Sequence, residues 1–290
     1  MRRLAFALLL VLAGCGGPSD VESLGWLAMG TTAQLSFKTA EGPCAANESL
    51  AFGKVKETFE EVERKLSIWR PDSEISRYVS LDQVSPETRP CYEAAFALQR
   101  SSGGAFNPFW RGPEKGPDLG GIAKGFAVDL AAARLLRGDG VRRSLLIDLG
   151  GNLKVVRGTW RTGIRDPSSA GGIVRTLTLT NGMACATSGE YARGKHIRDG
   201  RTGVPVTNDV ASVTVVHPSS AMLADGLSTT LFVLGRERGT AFLKEHYPEA
   251  TAYWVMRGAT EGFDGVAGRG GHLRWVIGSA ASKHLKRNEP

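Results

Sequence analysis

The sequence predicts an α+β fold, with mixed or antiparallel sheets and packed helices. Three observations carry this expectation. Residues 50–66, 87–101 and 122–137 read as helices, the first with a clear apolar stripe. From residue 145 onward short β-rich runs bounded by glycine dominate, interrupted by helical patterns at 220–234 and 237–246. The chain holds 37 glycines, several in adjacent pairs, so it needs many tight turns and close backbone approaches.

Taken in order, residues 28–37 (AMGTTAQLSF) read as a strand rich in threonine and apolar residues. In the 50–66 helix, Phe52, Val55, Phe59, Val62 and Leu66 recur at spacings of three and four. Residues 69–76 (WRPDSEIS) form a loop opened by Pro71. The 87–101 helix stops at Gly103-Gly104. A glycine-rich turn leads into the 122–137 helix. Strands follow at 145–149, ending in Gly150-Gly151, and at 153–157, 160–164, 173–180, 183–187 and 210–216. Ser219 or Ser220 caps the 220–234 helix, and Gly235 stops it. Strands near 250–256 and 272–277 complete the core, and no internal repeat is visible.

The first residues point to a compartment. Arg2 and Arg3 precede an apolar run of ten residues, too short to span a bilayer, and then Gly14-Cys15. The sequence Leu12-Ala13-Gly14-Cys15 resembles a bacterial lipobox. That resemblance implies removal of a leader at 1–14 and lipid on Cys15. Residues 15–25 then read as a flexible tether, 26–282 as the folded domain and 283–290 as a polar tail. The expected setting is the cell envelope, with the domain lipid-anchored on the outer, periplasmic side of a bacterial membrane.

Loss of Arg2 and Arg3 with the leader lowers the formal charge from +7 to +5. Lysines and arginines are scattered, without a basic stripe interleaved with aromatics, so no nucleic-acid partner is expected. Cys44, Cys91 and Cys185 remain besides Cys15, and an odd count cannot all pair internally. Cys44 and Cys91 both lie near proline in apparent loops and are candidates for a disulfide; Cys185 lies in an apolar run and reads as a buried small residue. With no C-x-x-C pair, a zinc or iron–sulfur site is not expected.

Three segments carry candidate chemistry. Residues 118–129 (DLGGIAKGFAVD) set Gly120-Gly121 and Lys124 before a helix N-terminus. Bare backbone amides, a helix start and one cation suit phosphate oxygens, although the spacing is neither a Walker loop nor a G-x-G-x-x-G fingerprint. A tight strand-to-helix turn with a solvated lysine accounts for the segment equally well. In 224–229 (ADGLST), Asp225, Ser228 and Thr229 stand at i, i+3 and i+4, an oxygen-rich face suited to Mg²⁺. An ordinary first-turn aspartate beside small packing residues is the alternative. Residues 196–203 (HIRDGRTG) bring His196, Arg198, Asp199 and Arg201 into a glycine-bounded loop. Its cations suit phosphate and His196 suits proton transfer near neutral pH; a salt-bridged hairpin is the competing reading.

Together these pieces resemble the FAD:protein FMN transferases of the ApbE type. The matching pieces, in family order, are Met29-Gly30-Thr31, 66–77 (LSIWRPDSEISR), 104–107 (GAFN), 118–129, Gly150-Gly151-Asn152, 187–191 (TSGEY), the His196 loop and 224–229. The resemblance spans about 29–235 and implies a T-fold-like, two-lobed architecture with a cofactor cleft. It implies FAD as the substrate, with Mg²⁺ on its pyrophosphate. The FMN moiety passes to a threonine or serine hydroxyl of a target protein, such as a redox flavoprotein of the membrane or periplasm, and AMP leaves. By the same resemblance Met29, Trp69, Ala105, Phe106, Asn107, Asp118, Lys124 and Arg198 contact the cofactor, Arg198 through its backbone. The Gly121 carbonyl, Asp225 and Thr229 match metal ligands, and Ser228 stands where some members carry a second carboxylate. His196, Asp225 and Lys124 form the expected catalytic set.

The chain departs from this pattern. Only 108–117 (PFWRGPEKGP) separate the GAFN stretch from the DLGGIAKG turn, where members usually carry a few dozen residues. Asn107 replaces the usual aspartate, and Ser228 is a weaker metal ligand than aspartate. FAD hydrolysis to FMN and AMP and a non-catalytic flavin-binding lipoprotein are therefore carried as alternatives. Asp225, Thr229 and Lys124 favour an enzyme.

Overall fold

The computed structural model describes residues 20–39, 48–137, 143–169, 171–190, 194 and 196–257, with the backbone of 45–47, 263–267 and 274–276. The leader at 1–14, Cys15 and the first part of the tether, Cys44, Tyr191 and the tail at 283–290 lie outside the described residues.

The first half of the chain contains β1 (Val21–Ala28), β2 (Thr31–Lys38), α1 (Ala45–Leu66), α2 (Arg89–Ser101) and α3 (Ala123–Leu136). Then come β3 (Leu145–Leu149), β4 (Asn152–Arg157), β5 (Trp160–Arg165), β6 (Ile173–Leu179), β7 (Ala184–Gly189) and β8 (Val210–His217). The chain continues through α4 (Ala221–His246), β9 (Thr251–Met256), β10 (Phe263–Ala267) and β11 (Arg274–Val276). Among the described residues, nine strands form one sheet in the order β1-β2-β3-β4-β7-β8-β9-β10-β11, antiparallel throughout. The expected α+β fold with an antiparallel sheet is what forms, and its two halves share that sheet.

The helices cover one face. Val55, Phe59 and Val62 of α1 are buried, as the apolar stripe predicted, and Trp26 stacks on Phe59 with centroids 5.8 Å apart. Each large apolar side chain removed from water there contributes about 1.5–3 kcal/mol. The β5–β6 hairpin covers part of the other face, where Trp160, Ile164, Leu177 and Leu179 pack on Val155, Cys185 and Val216. Cys185 is a free thiol in this second core, its pKa pushed up to about 12 by burial. Cys91 is likewise free and buried, on the inner face of α2 rather than in a loop.

Two expectations change at the N-terminus. Residues 21–25, read as the end of a tether, lie in β1, whose mostly exposed side chains give no apolar alternation to read. The single strand expected at 28–37 is broken at Met29-Gly30, where both residues have positive φ (48° and 68°). That is the backbone of a two-residue primed hairpin turn, which matches the right-handed twist of its strands. Met29 is the exceptional non-glycine there, and its N–H donates to Glu63 Oε2 on α1 at 3.1 Å. The helices expected at 220–234 and 237–246 run on as α4, kinked at Gly235 (φ 74°, ψ 177°).

Asp129, the last residue of the glycine-rich segment, docks α4. Its carboxylate accepts from the N–H groups of Ala221 and Met222, each at 2.9 Å, and from Ser220 Oγ at 2.8 Å. Lys154 Nζ, at 2.7 Å, balances its charge. Ser220 Oγ in turn accepts from Leu223 N–H at 3.0 Å, the expected N-cap. An anion at a helix N-terminus satisfies orphan donors and opposes the helix dipole. The start of α4, and with it Asp225, is thereby fixed against α3.

Candidate active site

A cleft of about 360 Å³ opens at one end of the sheet. The turn after β3 and the C-terminal end of β7 reach it, and the turn after β1 lies at the same end of the sheet. Gly150-Gly151 joins β3 to β4 with both φ values positive (61° and 87°), and Gly150 N–H donates to the Thr32 carbonyl at 2.8 Å. A Cβ on Gly150 would lie 2.6 Å from Thr31 Oγ1. The MGT and GGN pieces, far apart in sequence, are thus in contact.

One wall is built by the N-terminus of α3 and the first turns of α4. Asp225 is buried, and its Oδ2 accepts from Gly125 N–H at 3.0 Å and from Lys124 Nζ at 3.4 Å. Burial pushes its pKa up; the Lys124 charge and the Gly125 N–H oppose that shift. Lys124 Nζ also donates to the Gly120 carbonyl at 3.2 Å. Thr229 Oγ1 lies 3.4 Å from the Gly121 carbonyl. A side chain on Gly121 would press on Phe106 and Thr229, which explains the glycine. Ser228 does not line the cleft. It is fully buried; its hydroxyl donates to the Asp225 carbonyl at 2.9 Å and bonds Ser188 Oγ at 2.8 Å. Ser228 therefore stands behind the expected metal wall, connected to Thr229 through Ser188 (3.2 Å).

The opposite wall is the His196 loop, docked on 104–107. Gly200 N–H donates to the Ala105 carbonyl at 3.1 Å, and a Cβ there would strike Asn107 and the Gly104 carbonyl. Asn107 Nδ2 donates to the Gly200 carbonyl at 2.8 Å, while its Oδ1 accepts from Gln99 and from Phe109 N–H. A carboxylate cannot donate to that carbonyl, so asparagine suits this position better than aspartate. Both readings of the loop hold in part. Asp199 and Arg201 form an internal salt bridge, which draws the Asp199 pKa down through the Arg201 hydrogen bond. His196 and Arg198 line the cleft. His196 Nδ1 lies 2.8 Å from the Gly194 carbonyl, which can only accept. Nδ1 must therefore carry a proton, and in the neutral ring Nε2 is the basic nitrogen.

Of the other expected contacts, Ala105, Phe106, Asn107 and Asp118 line the cleft; Met29 and Trp69 do not. Met29 sits in the β1–β2 turn, partly buried against the core, and Trp69 is 88% exposed in the loop after α1. Ser188 and Trp110 are among the cleft residues to which the sequence assigned no role. Ser188 lies in the TSGEY piece and Trp110 in the short 108–117 segment.

The oxygens of Asp225, Gly121 and Thr229 fit a hard divalent cation, which prefers oxygen ligands and takes the rest from phosphate and water. Among the described residues no group of three His, Cys, Asp or Glu side chains is placed to hold a metal alone. One carboxylate with two neutral oxygens is a set that a substrate phosphate would complete.

The ApbE family model matches residues 29–113 and 110–254. The chain belongs to the ApbE family. An FAD:protein FMN transferase of Vibrio cholerae serotype O1 is 31% identical over 301 aligned positions, covering 82% of this chain and 88% of the relative. One from Haemophilus influenzae is 28% identical, covering 88% and 92%. The solved flavin transferase ApbE from Vibrio cholerae superposes with a TM-score of 0.69 at 25% identity, over 92% of this chain and all of that one. The two matched ranges overlap at 110–113, inside the short 108–117 segment.

Proposed function

We propose that this protein transfers the FMN moiety of FAD to a threonine or serine hydroxyl of a target protein, releasing AMP. The observation that carries the reading is the meeting of Asp225, Gly121, Thr229 and Lys124 on one wall with His196 and Arg198 on the other. The acceptor oxygen bonds to the phosphorus of the FMN phosphate, and the bond from that phosphorus to the bridging oxygen breaks. The electron pair leaves with AMP. His196 Nε2 takes the hydroxyl proton. Lys124 places positive charge against the pyrophosphate oxygens, and fixed dipoles and charges of this kind dominate phosphoryl-type transfer. Bound Mg²⁺, held by Asp225, Thr229 and the Gly121 carbonyl, would supply further charge neutralisation.

The test is incubation with FAD, Mg²⁺ and an acceptor carrying a flavinylation-type threonine. Flavin fluorescence should co-migrate with the acceptor on a denaturing gel. Free FMN with an unlabelled acceptor would establish hydrolysis instead, and intact bound FAD would establish a binding protein.

The envelope setting belongs to the same proposal. The attachment proposed is lipid on Cys15, which the lipobox resemblance of Leu12-Ala13-Gly14-Cys15 supports. The five residues from Cys15 to Asp20 reach at most about 18 Å. Val21 pairs with Lys38 at the end of the sheet opposite the cleft, and β1 then rises about 27 Å toward the Met29-Gly30 turn. The cleft would open at the end of the sheet farther from the lipid, toward acceptor segments that stand clear of the surface. Cys15→Ser should move the protein from the membrane pellet to the soluble fraction with transfer to a soluble acceptor retained; unmodified protein already in the soluble fraction would rule the anchor out.

A further inference from the structure

We propose that Trp110 is a positioning residue of the FAD site, its indole joining the wall of the Asp118 turn to the wall of the His196 loop. The proposal rests on the FAD reading above and adds a residue that the sequence left without a role. Two observations support it. Trp110 lines the cleft. It is also tied to both walls: Nε1 donates to Asp118 Oδ2 at 3.3 Å, and the Arg198 guanidinium carbon lies 5.3 Å from the ring centroid.

These contacts extend into the chemistry on each side. Asp118 Oδ1 accepts from Gly120 N–H at 2.9 Å, so the indole supports the turn that presents the Gly121 carbonyl. Arg198 Nη1 donates to the Gly203 carbonyl at 2.9 Å, which together with the indole restrains its long side chain before any ligand arrives. A guanidinium held on an aromatic face gains cation–π attraction and has less rotamer freedom to lose on binding. Arg198 was expected to act through its backbone; its side chain here is a preorganised cation in a cleft built for an anionic dinucleotide. Trp110 acts through Arg198 and Asp118, joining two walls 80 residues apart in the chain.

The test compares the full-length protein with Trp110→Phe, Trp110→Ala, Arg198→Ala and the Trp110→Ala/Arg198→Ala double variant. FAD affinity is read from flavin fluorescence, and KM and kcat from the transfer assay. Trp110→Ala should weaken FAD binding about ten-fold and raise KM in proportion, with kcat within about two-fold. Trp110→Phe keeps the ring and should recover most of that loss. Because the two residues act as a unit, the double variant should lose no more than the worse single variant. Melting temperatures should stay level, since the affected contacts are half-exposed. FAD affinity in Trp110→Ala equal to the parent's would overturn the proposal, as would losses that multiply in the double variant. An unsubstituted protein that binds FAD with these dependences yet transfers no FMN would sink the transferase reading and leave the role of Trp110 standing; one that binds no FAD would sink both.

Discussion

Asp225→Asn should lower turnover at least about 10³-fold with only a small change in stability. Asparagine keeps the shape, and its carbonyl oxygen can still accept from Gly125 N–H, the bond that ties this side chain to α3. Lys124 keeps its bond to the Gly120 carbonyl. What disappears is the single negative charge among the proposed metal ligands. The remaining oxygens, from Gly121 and Thr229, are neutral, and neutral oxygens hold Mg²⁺ poorly against water. Lys124 would also lose the carboxylate that faces it across 3.4 Å, so its ammonium would be held less firmly toward the pyrophosphate. Raising Mg²⁺ should restore little. A variant with parental kcat and KM at saturating Mg²⁺ would remove Asp225 from the metal site. The measurement is steady-state FMN transfer across a Mg²⁺ titration, with thermal melting as the control for folding.

Much of this arrangement was legible in the chain because it rests on local physics. The α1 stripe declares its buried face by spacing alone, and glycine pairs marked the turns that crowd the cleft. Contacts between distant segments were less legible. Nothing in AVDLAAA says that Asp129 will cap a helix some ninety residues later; the role appears only once α3 and α4 cross. β1 was missed because an exposed edge strand lacks the alternation that makes strands readable. Ser228 was placed on the metal by helical spacing, yet i+3 from Asp225 turns it inward to Ser188 while i+4 turns Thr229 to Gly121. Asn107 seemed a weakened ligand until the Gly200 carbonyl gave its amide a task that aspartate cannot perform. Trp110 stands in a segment with no periodicity to read, and its role appears only where Asp118 and Arg198 meet it.

Gly125→Ala should be the most destabilising single methyl addition near the site, and its sign opposes the local rule. Within a helix, alanine is worth about 1 kcal/mol over glycine. Gly125, however, is where α3 lies against the first turn of α4. A Cβ there would overlap the Ala221 carbonyl oxygen, and would lie 2.6 Å from the Ala221 carbonyl carbon and 2.8 Å from Asp225 Cβ. The obstacles are backbone and Cβ atoms, which have no rotamer to yield. The start of α4 is also pinned by the Asp129 carboxylate on the Ala221 and Met222 N–H groups, so it cannot retreat without breaking those bonds. Overpacking against such a site costs about 3 kcal/mol or more, which outweighs the propensity gain. Any separation that relieved the clash would also stretch the Gly125 N–H bond to Asp225, so transfer activity should fall along with stability. Gly53 supplies the control: it is exposed on α1, with nothing within 4 Å of an added Cβ. Gly53→Ala should therefore stabilise by up to about 1 kcal/mol. Urea unfolding of the two variants decides the matter. If both shift the midpoint upward, α3 and α4 have room between them, and the close approach that holds Asp225 against the α3 N-terminus is wrong.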